Sequence, residues 1–215
     1  MIRALVFDFD GLILDTETAL IDALAAIHRR AGRPFSRRLA REAVGRTAQY
    51  YDPWTAFGPA ADREALAAEL RRVNWEILAQ QSVLPGVTGH LRQAQARGLR
   101  IGLASNSDHA HVEGHLARLG LRDCFEYLRC IEDVPAGKPA PDLYLAVLEE
   151  FKLTGRQAIA FEDSAHGVHA AKSAGLWCVA VPGPSSRSHN FARADLQVSS
   201  LAHCPLPELL VKFGS

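Results

Sequence analysis

The sequence predicts an α/β fold: a Rossmann-like, doubly wound parallel sheet core that carries an inserted all-helical cap domain. Short apolar runs typical of strands buried on both faces alternate along the chain with amphipathic stretches of helical spacing. Between the first two runs, about seventy residues show only helical patterns, far more than a βαβ crossover needs. We therefore predict a Rossmann-like catalytic core from residues 1–14 and 85–215, and a helical cap from residues 15–84.

Composition limits the kinds of molecule that this protein is expected to bind. The 215 residues are 48% hydrophobic and 22% charged, with a formal net charge of +0, so no field of one sign favours nucleic acid or an anionic membrane. The start of the chain lacks a signal-peptide pattern and no apolar run reaches bilayer length, which predicts a cytoplasmic protein. The four cysteines show no paired spacing and are predicted to be reduced. We expect a monomer or small homo-oligomer.

The first apolar run, residues 2–7, stops abruptly at Asp8 and Asp10. Open α/β sheets bind their ligands at the carboxyl ends of strands. Two aspartates one residue apart repel each other, so keeping both there costs stability unless a cation or bound phosphate uses them. With a divalent ion, one carboxylate could attack phosphorus while the other transfers protons. The alternative is that the two aspartates only form a turn or cap a helix. The Asp-X-Asp pattern alone does not distinguish between these two interpretations.

The run from Asp8 to Glu17, Asp-Phe-Asp-Gly-Leu-Ile-Leu-Asp-Thr-Glu, resembles the first motif of the haloacid dehalogenase-like hydrolases. The resemblance is to the branch that includes small sugar phosphatases and β-phosphoglucomutase. It implies that Asp8 is the nucleophile and Asp10 the general acid and base. It also implies that Mg²⁺ binds to Asp8 and to the backbone carbonyl of Asp10, and that a helical cap is inserted after this motif.

Three amphipathic segments fill the predicted cap. The first begins at Asp15 and ends before Gly32, and the others span residues 36–44 and 62–80. We expect this domain to act as a lid that excludes water and selects the leaving group. Arg46, on a Gly-Arg-Thr turn, could reach a substrate hydroxyl, carboxylate or second phosphate. A solvated surface arginine is the alternative.

The second core strand, residues 99–104, ends in Ser105 and Asn106 and leads directly into a helix. A hydroxyl, turn N–H groups and a helix N-terminus aimed at one point can bind phosphate, although simple helix capping would use the same residues. The run occupies the place of the second motif of the haloacid dehalogenase-like hydrolases. The resemblance implies that Ser105 binds the transferring phosphoryl group and that Asn106 contributes its backbone amide or side chain.

Lys138 stands between Gly137 and Pro139 in a chain with only four lysines against twenty arginines. A compact ammonium suits a crowded site that would not admit a planar guanidinium. A surface lysine in a turn is an equal alternative on composition alone. The run resembles the third motif of the family, which implies that Lys138 neutralises both the nucleophile and a phosphoryl oxygen.

The apolar run 158–161 ends in Glu162 and Asp163. Acids at the ends of two strands would form a cluster of hard oxygen ligands suited to Mg²⁺, whereas N-capping of the next helix is the alternative. Glu-Asp-Ser-X-X-Gly resembles the fourth motif of the family. The resemblance implies that Asp163 is a metal ligand, and that Glu162 binds the metal directly or supports a ligand.

Histidines form no metal site in this interpretation. His109, His111 and His115 lie on one predicted helix, and the pair at i, i+4 could bind zinc, but no Cys or acid stands at ligand spacing. We predict an exposed helix face for them. His166 and His169 are predicted to be solvated as well.

Together the four strand ends predict a Mg²⁺-dependent phosphatase that hydrolyses a small phosphorylated metabolite through an aspartyl-phosphate. A phosphosugar mutase is one alternative. In β-phosphoglucomutase a histidine follows the first motif, whereas this chain has Leu20 and no histidine before His28, which favours hydrolysis. A non-enzymatic receiver domain also gathers Asp, Ser or Thr and Lys at strand ends. It lacks a helical insertion, however, and places its phosphorylated aspartate on a later strand. The substrate is left open among phosphoglycolate, sugar phosphates and nucleoside monophosphates.

Overall fold

The computed structural model describes residues 1–43 and 51–214. The chain divides into two compact units, one formed by Met1–Leu14 with Ser82–Ser215 and the other by Asp15–Gln81. The two boundaries predicted from the sequence lie after residues 14 and 84.

A six-stranded sheet forms the first unit, with all its strands parallel in the order β3-β2-β1-β4-β5-β6. The strands in chain order are β1 (Ala4–Phe7), β2 (Arg100–Ala104), β3 (Tyr127–Arg129), β4 (Ala158–Glu162), β5 (Trp177–Ala180) and β6 (Leu196–Gln197). This is the strand order of doubly wound, Rossmann-like sheets, so the predicted α/β fold is confirmed.

Helices precede or follow most of the strands. The described α-helices are α1 (Thr16–Arg30), α2 (Arg37–Ala43), α3 (Arg63–Ala79), α4 (Val87–Ala96), α5 (His109–Arg118), α6 (Asp142–Phe151), α7 (Ala165–Ser173) and α8 (Leu206–Gly214). No helix in the described ranges is both long and apolar enough to span a membrane. All four cysteines are free thiols, as predicted.

β1 is central because both of its faces are apolar and fully buried. Ala4 and Val6 belong to a buried cluster that includes Val147 from α6. Since side chains alternate along a strand, Phe7 points to the opposite face, where its ring lies 4.9 Å from the ring of Phe161 between centroids. Helices can therefore cover the sheet on both sides.

The second unit is helical in its described residues. Asp15 caps α1, since its side chain accepts a hydrogen bond of 3.1 Å from the backbone N–H of Thr18. α1 and α3 pack together through a buried cluster to which Trp54 also belongs: Ala23, Leu24, Ile27, Trp54 and Val73. This unit therefore has a core of its own.

The topology places a crevice at the ends of β1 and β4. From β1 the chain passes to β2 and β3 on one side, and then returns to β4 on the other side of β1. In sheets of this kind ligands bind where the strand order reverses, outside the carboxyl ends of the strands. Asp8 follows β1 and Glu162 ends β4, so both carboxylates lie at this point.

Candidate active site

Asp8 is fixed at the end of β1 by the sheet itself. Its backbone N–H donates a 3.0 Å hydrogen bond to the carbonyl of Phe161, which extends the β1–β4 pairing and aligns Asp8 with Glu162. Gly11 turns the loop that follows with a φ of 78°, and a Cβ on it would lie 2.2 Å from Oδ2 of Asp163. Only glycine lets this loop approach Asp163 so closely.

Lys138 joins the two strand ends. Its Nζ lies 2.6 Å from Oδ1 of Asp8 and 2.6 Å from Oε1 of Glu162, with 4% of its side chain exposed. Burial would lower the pKa of Lys138, but the charges of the two carboxylates outweigh it and raise the pKa. The ammonium therefore stays charged between its partners.

Glu162 is held from a second direction by a residue that the sequence analysis did not single out. The hydroxyl of Tyr144 donates a 2.5 Å hydrogen bond to Oε1 of Glu162. Burial, followed by the charge of Glu162, raises the pKa of Tyr144 well above its usual value, so the hydroxyl keeps its proton. Because Glu162 is fully buried, these contacts fix its carboxylate firmly.

Asn106 holds the loop that carries Lys138. Its Oδ1 accepts a 2.7 Å hydrogen bond from the backbone N–H of Lys138, and its Nδ2 donates a 3.0 Å bond to the Lys138 carbonyl. The Asn106 side chain is thus occupied by protein backbone.

Asp10 lies among donors from the segment that follows β2. Its Oδ2 accepts hydrogen bonds from Ser107 Oγ at 2.6 Å and Ser105 Oγ at 3.3 Å, while Nε2 of His111 lies 3.2 Å from its Oδ1. Burial would lower the pKa of His111, but the hydrogen bond and the charge of Asp10 raise it above its usual value. The carboxylate of Asp10 is therefore contacted on both oxygens.

The donor set at the sheet edge fits a divalent cation. Asp8, Glu162 and Asp163 are all buried, and one oxygen from each lies within 4.8 Å of the others. Burial, together with the charges of Glu162 and Asp10, raises the pKa of the Asp8 carboxyl to about 8 even though Lys138 lowers it. Three buried acids facing one ammonium leave negative charge that a cation would neutralise, and carboxylates are the ligands that Mg²⁺ prefers.

The structure thus gathers most of the residues singled out in the sequence. Asp8, Lys138, Glu162 and Asp163 form one cluster, and Asp10 and Ser105 meet beside it. Arg46 lies outside the described residues.

The prediction for the histidines of α5 was wrong in part. His115 is fully buried and His111 contacts Asp10, because α5 turns this face toward the loop after β1 and not toward solvent. His115 lies between Val112 and Leu116 in sequence, so the apolar helical spacing could have placed it inside. His166 and His169 are exposed, as predicted.

Comparisons with known proteins identify the family. A model of the haloacid dehalogenase-like hydrolases matches residues 2–175. The chain is 37% identical to the Bacillus subtilis protein named "Putative phosphatase YhcW", over 100% of this chain and 99% of that protein. It is 31% identical to hexitol phosphatase B of Escherichia coli, over 97% of each. The crystal structure of CbbY from Rhodobacter sphaeroides in complex with phosphate superposes with a TM-score of 0.75, at 29% identity over 94% of this chain and 96% of that one. The chain belongs to the haloacid dehalogenase-like hydrolase family.

Proposed function

We propose that this chain is a Mg²⁺-dependent phosphatase that hydrolyses a small phosphorylated sugar or a similar metabolite through an aspartyl-phosphate on Asp8. The observation that carries the proposal is the buried Asp8–Lys138–Glu162 ion-pair cluster beside Asp163, at the carboxyl ends of β1 and β4. A surface pair of turn aspartates would have neither this burial nor this fixed ammonium. Relatives named as phosphatases support the same reaction class.

Asp8 and Asp10 divide the chemistry between them. A carboxylate oxygen of Asp8 forms a bond to phosphorus as the ester P–O bond breaks, and Asp10 gives its proton to the departing oxygen. Water then attacks the phosphorus of the aspartyl-phosphate while Asp10 removes its proton. The P–O bond to Asp8 breaks, inorganic phosphate leaves and the Asp8 carboxylate is regenerated. One residue serves as acid and then as base, which returns the site to its starting state.

Lys138 and Ser105 stabilise the phosphoryl group as it transfers. The ammonium already lies 2.6 Å from the nucleophile, so it can offset negative charge on phosphoryl oxygens that approach Asp8. Ser105 follows β2, next to β1, and its hydroxyl lies 3.3 Å from Oδ2 of Asp10. We propose that this hydroxyl and the backbone N–H of Asn106 bind the phosphoryl oxygens.

The metal would be held by the carboxylates of Asp8 and Asp163 and the backbone carbonyl of Asp10. When bound, Mg²⁺ offsets the repulsion between an anionic phosphate and an anionic nucleophile, and polarises a phosphoryl oxygen. Glu162 accepts two short hydrogen bonds on one oxygen, from Lys138 and Tyr144. We therefore propose that Glu162 acts through Lys138 and is not a direct metal ligand.

Substrate selection is proposed to lie with the helical cap, residues 15–84, acting as a lid. Hexitol phosphatase B and the phosphorylated carbohydrates phosphatase of Thermotoga maritima, which is 29% identical over 81% of this chain, favour sugar and sugar-alcohol phosphates as the substrate class. We also propose that Arg46 contacts a polar group of the substrate.

A phosphate-release screen tests the function. Purified protein with Mg²⁺ is assayed on hexose, hexitol and glycolate phosphates, with p-nitrophenyl phosphate as a general substrate. Asp8→Asn should abolish turnover because its amide is not a nucleophile, whereas Asp123→Asn, at an exposed position, should leave it within twofold. Substantial turnover by Asp8→Asn would refute the proposal.

The same assay separates the alternatives. A mutase would convert glucose 1-phosphate to an isomer without releasing phosphate, and a receiver-like domain would release no more than one phosphate per chain. Repeated release of phosphate is the result that we expect.

A further inference from the structure

Both oxygens of the Asp10 carboxylate are held, Oδ2 by the hydroxyls of Ser105 and Ser107 and Oδ1 by the imidazole of His111. Ser107 Oγ donates a 2.6 Å hydrogen bond to Oδ2, and Nε2 of His111 lies 3.2 Å from Oδ1. The side chains of Asp10 and His111 are each 28% exposed, so water screens this contact only in part. Because a carboxylate only accepts hydrogen bonds, the contact assigns the proton of the imidazole to Nε2.

His111 is itself held rigidly. Its ring packs edge-on against Phe9 with centroids 5.6 Å apart and against His115 with centroids 4.9 Å apart. Its backbone N–H donates a 2.7 Å hydrogen bond to the side chain of Asp108, the N-cap of α5. Both the backbone and the ring of His111 are therefore fixed before any substrate arrives.

Phe9 also links His111 to the loop after β1, which carries Asp10. Phe9 lies between the two aspartates, and its carbonyl accepts the backbone N–H of Ile13 at 2.9 Å, which shapes the loop after β1. The imidazole thus contacts both the loop and the carboxylate that the loop carries. A bulky apolar side chain at position 111 could pack on Phe9, but only a donor can also hold Asp10.

We infer that His111 is a positioning residue for the general acid, and that its Nε2–H holds Oδ1 of Asp10 so that Oδ2 carries the proton to the departing oxygen. This inference rests on the proposed acid–base role of Asp10. The proton that is transferred belongs to Asp10, and His111 keeps its own throughout. Orientation of a catalytic carboxyl affects the rate most where proton transfer is most needed.

The effect of His111 on the rate should therefore depend on how basic the leaving group is. Replacing a residue with a purely structural role would not produce this dependence. A p-nitrophenolate is a weak base and departs with little help from an acid, whereas an unsubstituted phenolate is more basic and needs the proton. Loss of orientation at Asp10 should slow hydrolysis of phenyl phosphate much more than that of p-nitrophenyl phosphate. A general loss of folded protein would slow both equally.

The test compares His111→Phe, which keeps a ring against Phe9 but has no donor, with His111→Gln, which restores an N–H. We expect His111→Phe to lose roughly tenfold in kcat/KM on phenyl phosphate and less than twofold on p-nitrophenyl phosphate, because kcat/KM reports the transfer to Asp8 in which the leaving group departs and not the later hydrolysis. His111→Gln should recover part of the loss. The control is His109→Gln, on the same helix, where the ring contacts Glu113 and Asp133 and not Asp10. It should change the ratio of the two kcat/KM values by less than twofold.

A ratio of kcat/KM values that His111→Phe leaves at the wild-type value overturns the inference, because this ratio depends neither on the fraction folded nor on the hydrolysis step that both substrates share. Two further variants separate this failure from failure of the proposed function. Asp10→Asn should show the same leaving-group selectivity in stronger form, and Asp8→Asn should be inactive on both substrates. If these two behave as stated while the ratio for His111→Phe is unchanged, only the role of His111 is wrong.

Discussion

Gly167→Ala tests whether the carboxylate of Glu162 must stay where the structure places it. Gly167 is the third residue of α7, and a Cβ built on it would lie 1.8 Å from Oε2 of Glu162. Gly89 is the third residue of α4, where a Cβ would meet nothing within 4 Å. The two positions have the same place in a helix, so alanine should improve helix propensity equally at both, by up to about 1 kcal/mol.

The collision at Gly167 sets the expected magnitude. To move from 1.8 Å to the 3.0 Å that real Cβ contacts respect, Glu162 must retreat by at least 1.2 Å. That movement would break or stretch its 2.6 Å contact with Lys138 and its 2.5 Å contact with Tyr144. Breaking a buried ion pair costs about 3–5 kcal/mol, so after the gain in propensity we expect a net destabilisation of roughly 2–4 kcal/mol. For a chain of this size that lowers the thermal midpoint by roughly 5–15 °C.

Thermal unfolding and kcat on p-nitrophenyl phosphate, measured side by side, provide the assay. Gly89→Ala should match or exceed the wild type in midpoint and match it in kcat. Gly167→Ala should unfold earlier and lose at least roughly tenfold in kcat, because Lys138 is then no longer aimed by Glu162. If Gly167→Ala is as stable and as active as Gly89→Ala, Glu162 does not hold Lys138 and the reasoning fails.

Four further outcomes can be checked with the same protein. Tyr144→Phe removes the donor to buried Glu162 and should lower the free energy of unfolding by about 1–3 kcal/mol in urea titrations; an unchanged midpoint would contradict the assigned contact. Asp15→Ala removes the N-cap of α1 and should cost about 0.5–2 kcal/mol in the same titrations, whereas Asp15→Asn, which can also cap, should cost less. Burial lowers the pKa of His90 below 6.5, so the unfolded chain binds more protons than the folded one, and stability should fall as the pH drops below about 6.5; His90→Leu should show a smaller fall between pH 7.5 and 5.5. Treatment with EDTA should abolish phosphate release and added Mg²⁺ should restore it, while activity that survives chelation would argue against the proposed metal.

The fold was predictable because the buried strands of a parallel sheet have a recognisable sequence pattern. Strands buried on both faces appear as uninterrupted apolar runs, and four of the six strands follow such runs. The ends of the edge strand β3 were not predictable. The apolar residues between 125 and 131 are compatible with a longer strand, but 3₁₀ turns at Arg122–Cys124 and Ile131–Asp133 leave only Tyr127–Arg129 paired. Apolar character alone does not reveal where backbone pairing stops.

The candidate site was predictable only where residues stand at strand ends. Asp8, Ser105 and Glu162 do, and the parallel register then brings them to one edge. Tyr144 and His111 do not, because they lie on helices whose orientation depends on packing. Nothing in the spacing from Asp10 to His111, over a hundred residues apart, indicates that they meet. Contacts that arise only when a helix docks are therefore the part of the site that sequence patterns miss.

The position of Glu162 explains why a lysine, and not an arginine, suits position 138. In the proposed cycle Asp8 loses its negative charge when it becomes an aspartyl-phosphate, and Lys138 then loses one of its two carboxylate partners. Glu162 is fully buried and is not consumed, so it can keep the ammonium charged and aimed until water regenerates Asp8. The ammonium lies 5.2 Å from the centroid of the Tyr144 ring and within 2.6 Å of both carboxylates. A compact point charge can bridge them there, whereas the planar fork of an arginine would displace one. Lys138→Arg is thus expected to impair turnover although it preserves the charge, and normal phosphate release by that variant would contradict this account of Glu162.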